Sequence, residues 1–166
     1  MLRRGIGKGP MLNDDNRFGT DWLGSNRGGK APLSGRVMLV DNRHDMRVAT
    51  GLRLSSMGLQ VTTAETGREA LEIAILADNV GYEFHLILMN IDMPAMDGLE
   101  ATVLFRYAEY DGPIIAVSER SADGIEAISA DAGCNGVLLE PVDANGLYNM
   151  LSRHLPVVRP VQICAA

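Results

Sequence analysis

The chain has 166 residues, of which 46% are hydrophobic and 22% charged, with a net charge of −6. This is the size and balance of one compact domain with a tail, not of a fibrous or wholly disordered chain. No apolar run approaches the ~18 residues a transmembrane helix needs, and the start has no apolar core of a secretory signal. Cys134 and Cys164 are too few for a disulfide framework, so a reducing cytosol is the expected compartment.

The charge is divided unevenly. Through Leu33, six cations face three carboxylates, while the remaining chain carries −9. A phosphate backbone needs a basic face, so nucleic acid is not an expected partner, and neither is a membrane. Residues 1–34, rich in Gly, Asn, Asp and Arg, show no periodicity and read as a flexible leader, with Phe18, Trp22 and Leu23 as its bulky apolar cluster.

From Arg36 the pattern changes to short apolar runs alternating with helical segments. Val37–Val40 (VMLV) reads as a strand buried on both faces. Asp45 to about Met57 reads as a helix, with Asp41, Asn42 and Asp45 near its start and Gly58 ending it. Leu59–Thr63 is a second strand and Thr66–Asp78 a second helix. The third strand, Phe84–Met89, is the most apolar run, and a helix over Asp97 to Tyr107 follows it. Pro113–Val117 and Gly136–Leu139 are the fourth and fifth strands, and helices are expected over Ala122–Ala132 and Asp143–His154. Residues 156–166 are left as a C-terminal tail.

Strict alternation of five apolar strands with five helices predicts an α/β domain over 35–155, a parallel sheet between two helical layers. In open sheets of this kind the working site lies at the carboxyl ends of the strands. The residues to inspect there are Asp41, Asn42, Ala64, Asn90, Ser118 and Glu140.

At those positions the sequence becomes specific. FHLILMNIDMPAMDGLEAT at Phe84–Thr102 resembles the central segment of response-regulator receiver domains, the CheY-like family of two-component signalling. The likeness extends through VMLVDN at Val37–Asn42, ETGREAL at Glu65–Leu71, PIIAVS at Pro113–Ser118 and DAGCNGVLLEPVD at Asp131–Asp143. It implies a flavodoxin-like, three-layer α/β/α fold with a five-stranded parallel sheet. The MPxMDG element, Met93–Gly98, supplies the expected structural loop with Pro94, Asp97 and Gly98; Pro141 is its counterpart after the fifth strand.

The resemblance also assigns roles, and most are filled by the wrong residue type. The phosphoacceptor aspartate falls on Asn90, and the Mg²⁺-holding acidic pair on Asp41 and Asn42. The phosphoryl-contacting Ser/Thr falls on Ser118, the lysine before a proline on Glu140, and the switch aromatic on Val137. Only Asp41 and Ser118 keep the family's residue type. A neutral amide has no anionic oxygen with which to form an acyl phosphate. Replacing a cation by Glu140 opposes the charge stabilisation that phosphoryl transfer requires. Mg²⁺ loses carboxylate ligands as well, so no cofactor is expected and the ion would bind weakly at best.

The expected pocket is therefore a degenerate one, locked by internal hydrogen bonds, with Glu140 accepting from the Asn90 or Asn42 amide. Asp92, two residues past Asn90, reads as a solvated loop carboxylate. Met89, Met93 and Met96 read as packing, and Cys134 as a small packed residue.

A pseudo-receiver follows, not an enzyme, acting by constitutive contact with a histidine kinase, a phosphotransferase or another regulator. The face expected to do so is built from Ser121–Ala132, the fifth strand and Asp143–Arg153. Two alternatives are a regulator phosphorylated on an atypical acceptor and a ligand- or redox-sensing module using the vacated pocket or Cys134.

Overall fold

A computed structural model describes residues 30–94, 96–119 and 124–158. The fold is that of the unit Ala31–Ala166. Phe18, Trp22, Leu23 and Cys164 lie outside the described residues, as do Ser121 of the expected binding face and the start of the expected fourth helix at Ala122–Asp123.

Five strands, β1 (Arg36–Val40), β2 (Gln60–Ala64), β3 (Leu86–Asn90), β4 (Ile114–Ser118) and β5 (Gly136–Leu139), alternate with five helices. The helices are α1 (His44–Ser56), α2 (Gly67–Asp78), α3 (Gly98–Tyr107), α4 (Ile125–Ala132) and α5 (Ala144–Leu151). The strands form one parallel sheet in the order β2-β1-β3-β4-β5. This is the expected flavodoxin-like architecture.

The two-residue period of the strands divides the core between two faces. Met38, Val40, Ile87, Met89, Ile114 and Ala116 pack with Ala70, Ala101, Phe105 and Ile125 from α2, α3 and α4. Val37, Leu39, Leu86, Leu88 and Ile115 pack with Leu54, Leu147 and Leu151 from α1 and α5. Covered on both sides, β3 is buried at every residue, which is why its sequence is a continuous apolar run.

Local chemistry sets the helix starts. Thr66 Oγ1 accepts from Glu69 N at 3.1 Å, and Asp97 Oδ1 accepts from Glu100 N at 2.8 Å. Each satisfies an amide that the first turn leaves without a partner. Helix α1 begins at His44 with no side-chain cap, and Gly58, at φ 96°, follows its last turn. Helix α4 begins after Gly124 at φ 95°, and α5 ends at Leu151, three residues before the expected His154.

The ends of the domain depart from the expected limits of 35 and 155. Leu33, 1% exposed, donates its N–H to Met57 O at 2.8 Å and pairs with Val157 in an antiparallel bridge. Ser34 N donates to Pro156 O and Val158 N to Pro32 O, at 2.9 and 2.8 Å. Residues 31–34 and 156–158 thus close over the core beneath α1 and α5. Four residues carry no readable period, so this docking was not legible as an element.

Candidate functional site

The strand order reverses between β1 and β3, and the crevice at their carboxyl ends is where such sheets place a site. Asp41 leaves β1 there, and Asn90 is the last residue of β3. Both are buried, at 5% and 3% exposure. The Asn90 amide donates to Asp41 Oδ1 at 3.1 Å, and Asn90 Oδ1 accepts from Asp92 N at 2.9 Å.

The centre of the site is Arg43, which the sequence reading passed over. Its Nε and Nη2 reach Asp41 Oδ1 and Oδ2 at 3.1 and 2.8 Å. Its Nη1 and Nη2 reach Glu140 Oε2 and Oε1 at 2.7 and 2.9 Å. Nη1 also pairs with Glu119. One guanidinium therefore makes a two-bond fork to each of two carboxylates, the strongest arrangement available to Arg. Hydrogen bonds to Asp41, then to Glu140, raise the Arg43 pKa further above its ordinary value, so the cation is permanent.

These contacts tie three loops together: the turn after β1, the loop after β4 and the turn after β5. Main-chain groups help to fix the first. Arg43 N donates to Asp41 Oδ1 at 2.8 Å, while Arg47, 7% exposed, donates to Asp41 O at 2.6 Å and pairs with Glu65.

Two expectations are corrected. Glu140 does not accept from an asparagine amide: its carboxylate is engaged by Arg43, and the Asn90 amide turns to Asp41 instead. A charged donor makes the stronger bond, so the guanidinium takes the carboxylate. Asp92 is not a solvated carboxylate either. Its Oδ2 accepts from Ser118 Oγ at 2.9 Å and from Glu119 N at 2.8 Å, binding the loop after β3 to the end of β4.

Asn42 stands exposed beside the cluster, and Ser118 is 1% exposed within it. Val137 lies half-buried on β5, packed against the core under α2, α3 and α4. Asp97 caps α3, Pro94 is exposed, and Pro141 follows a cis peptide bond from Glu140. Gly98 is required by contact: a Cβ there would sit 2.2 Å from Asn90 O. Met89 and Met93 are core residues as expected.

Cys134 is half-buried, with its Sγ 3.7 Å from Thr102 Oγ1. Burial raises its pKa, against smaller opposing effects of Thr102 and Arg106.

At the strand ends the polar groups are largely taken up by one another. Both Asp41 oxygens are engaged by Arg43, and the remaining candidate ligands, Asn42 and Asn90, are neutral amides, so the donor set does not fit a hard divalent ion. Among the described residues, no cluster of three His, Cys, Asp or Glu side chains forms a metal site. Arg43 brings one positive charge against the carboxylates of Asp41, Glu119 and Glu140, so the sum around it stays negative. Arg43 was findable from sequence. It directly follows the Asp41–Asn42 pair at a strand end and is separated from Glu140 only in chain position.

Comparison with known proteins agrees with the fold. A family profile described as the response regulator receiver domain matches residues 37–152. The chain is 31% identical over 120 residues to the CAI-1 autoinducer sensor kinase/phosphatase CqsS of Vibrio cholerae, covering 70% of this chain and 17% of that protein. It is also 31% identical over 129 residues to the histidine-protein kinase BarA of Escherichia coli, covering 76% of this chain and 14% of that protein. The chain thus spans under a fifth of the length of these relatives. The solved structure of Vibrio cholerae chemotaxis protein CheY4 superposes with a TM-score of 0.67 at 27% identity, covering 74% of this chain and 99% of that one.

Proposed function

Because the chain belongs to the response regulator receiver family of two-component signalling, whose domains are signalling modules and not enzymes, we propose that it is a pseudo-receiver. In this reading it takes no phosphoryl group and works by constitutive contact with a signalling protein, a histidine kinase, a phosphotransferase or another regulator. The observation that carries the reading is the Arg43 clasp. Its guanidinium fills the space between Asp41 and Glu140 with fixed hydrogen bonds, so the loops after β1, β4 and β5 are held together with no phosphoryl group needed to gather them.

Asn90 supports the same reading. It supplies an amide where the family's chemistry needs a carboxylate nucleophile, and its two polar atoms are already committed to Asp41 and Asp92. Mg²⁺ has no role in this mechanism. The domain would act in the cytosol with its kinase partners; among the described residues no helix is long and apolar enough to cross a membrane.

The test is incubation of the full chain with acetyl phosphate and Mg²⁺, followed by intact and peptide mass spectrometry. No adduct is expected, and capture of a partner should be equal with and without the phosphodonor. A phosphate adduct on Asp92, on Asn90 or elsewhere in the cluster would overturn the reading.

A further inference from the structure

At the opposite end of the sheet, the segments entering β3 and β4 and the ends of α2 and α3 enclose a cavity of about 580 Å³. Its walls carry the half-buried rings of Tyr82 and Tyr110, backed by the buried rings of Phe84 and Phe105. Tyr82 meets Phe84 edge-on at 5.5 Å between centroids, and Phe105 meets Tyr110 at 5.8 Å. Tyr110 Oη donates to Phe84 O at 3.2 Å, joining the two pairs. Helix α2 adds Ile75, a large apolar side chain that is 50% exposed at the margin.

The rim is acidic. Asp78, Glu83, Glu109 and Asp111 line it, and none of the four has an ion pair among the described residues. The nearby cations do not neutralise them. Arg36 donates to Glu83 O and stacks on Tyr82 at 4.6 Å. Arg106 spends its donors on the carbonyls of Tyr110, Gly112 and Gly133 and on Asn135. Both arginines hold loops through main-chain oxygens, and neither pairs with these carboxylates among the described residues.

An aromatic floor under an acidic rim selects an occupant that is both apolar and cationic. The carboxylates set its sign, while Ile75 and the partly open rings of Tyr82 and Tyr110 accept an apolar side chain. The volume suits a few side chains and not a folded domain. We propose that this groove binds a basic segment of a protein partner, in which an apolar or aromatic residue is flanked by Arg or Lys. A bare polyamine would match the charges but leave Ile75 and the rings without an apolar partner. From the preceding section the inference takes only that the domain works by contact, and because groove binding is measured directly, its failure leaves the Arg43 reading standing.

The test is fluorescence anisotropy of a labelled peptide, Gly-Lys-Arg-Phe-Leu-Arg-Gly, titrated with the full chain. Saturable binding is expected, weakening as salt rises. The double reversal Glu83→Lys with Asp111→Lys should weaken it about tenfold or more, since like charges then face the peptide. Ile75→Ser, at a half-exposed site, should weaken it about threefold by loss of apolar contact. Thermal melts of all variants report that the fold is kept. The proposal is overturned if binding is absent, if the double reversal binds equally well, if a peptide with Ser-Ser in place of Phe-Leu binds equally well, or if spermidine competes at the peptide's own affinity.

Discussion

The two ends of the sheet carry similar numbers of carboxylates and treat them in opposite ways. At the carboxyl end, Asp41, Glu119 and Glu140 converge on Arg43, and Asp92 is bound by Ser118 and a main-chain amide. At the amino end, Asp78, Glu83, Glu109 and Asp111 ring an aromatic cavity while the nearby arginines serve carbonyl oxygens. A carboxylate whose lone pairs are filled from its own chain has little left to offer a ligand; one facing water still has its full charge to give. The end at which the family does its chemistry is thus the internally satisfied one, and the opposite end is the electrostatically open one.

The largest expected effect comes from removing the clasp. Arg43→Ala leaves Asp41 and Glu140 without the guanidinium that joins them, and should cost about 3 kcal/mol in urea unfolding, the low end for deleting one partner of a buried pair because Arg43 is 27% exposed. It should also let Mn²⁺ raise the melting temperature, because Asp41 regains free oxygens. Unchanged stability together with no metal response would break the contrast between the two ends.

Gly98→Ala probes the backing of the same site. A Cβ would lie 2.2 Å from Asn90 O and 2.8 Å from Met89 Cγ, so α3 must shift from the end of β3 at about 2 kcal/mol. Denaturant midpoints would register it. A smaller loss, about 1 kcal/mol, is expected for Asp97→Ala, which removes the cap on Glu100 N.

The smallest effect belongs to the amino end and depends on pH. Burial raises the Tyr110 pKa above the ordinary value, against a smaller opposing effect of Arg106. The neutral ring is the favoured form in the fold, so its contribution is complete below the unfolded value of about 10 and is lost as pH climbs toward the folded one. Stability should therefore fall more steeply above about pH 10 in the natural chain than in Tyr110→Phe. Parallel slopes would mean that Tyr110 is more open to water than its packing on Phe105 indicates.

Much of the fold was readable before any coordinates. The apolar run Phe84–Met89 reads as the third strand, and the helices expected from Thr66 and from Asp97 begin one residue later, with those two residues as their caps. The limits at residues 35 and 155 were less legible, because Leu33 is buried by a short pairing with the far end of the chain. Within the site, the identities of Asp41, Asn90, Ser118 and Glu140 were plain, but their partners were not. Reading Glu140 against the asparagine amides neglected a guanidinium at position 43, nearly a hundred positions away along the chain.

By itself, the sequence determined the alternation of elements, the parallel sheet and the presence of a neutral amide, Asn90, at the end of β3, since each depends on residue type and local spacing. Tertiary structure alone decided what neutralises Glu140, what holds Asp92, and that the aromatic residues before β3 and β4 meet in one acid-rimmed cavity. Those outcomes are pairings across long separations, and a side chain chooses among partners only when the sheet has brought the strand ends within a few ångströms of one another.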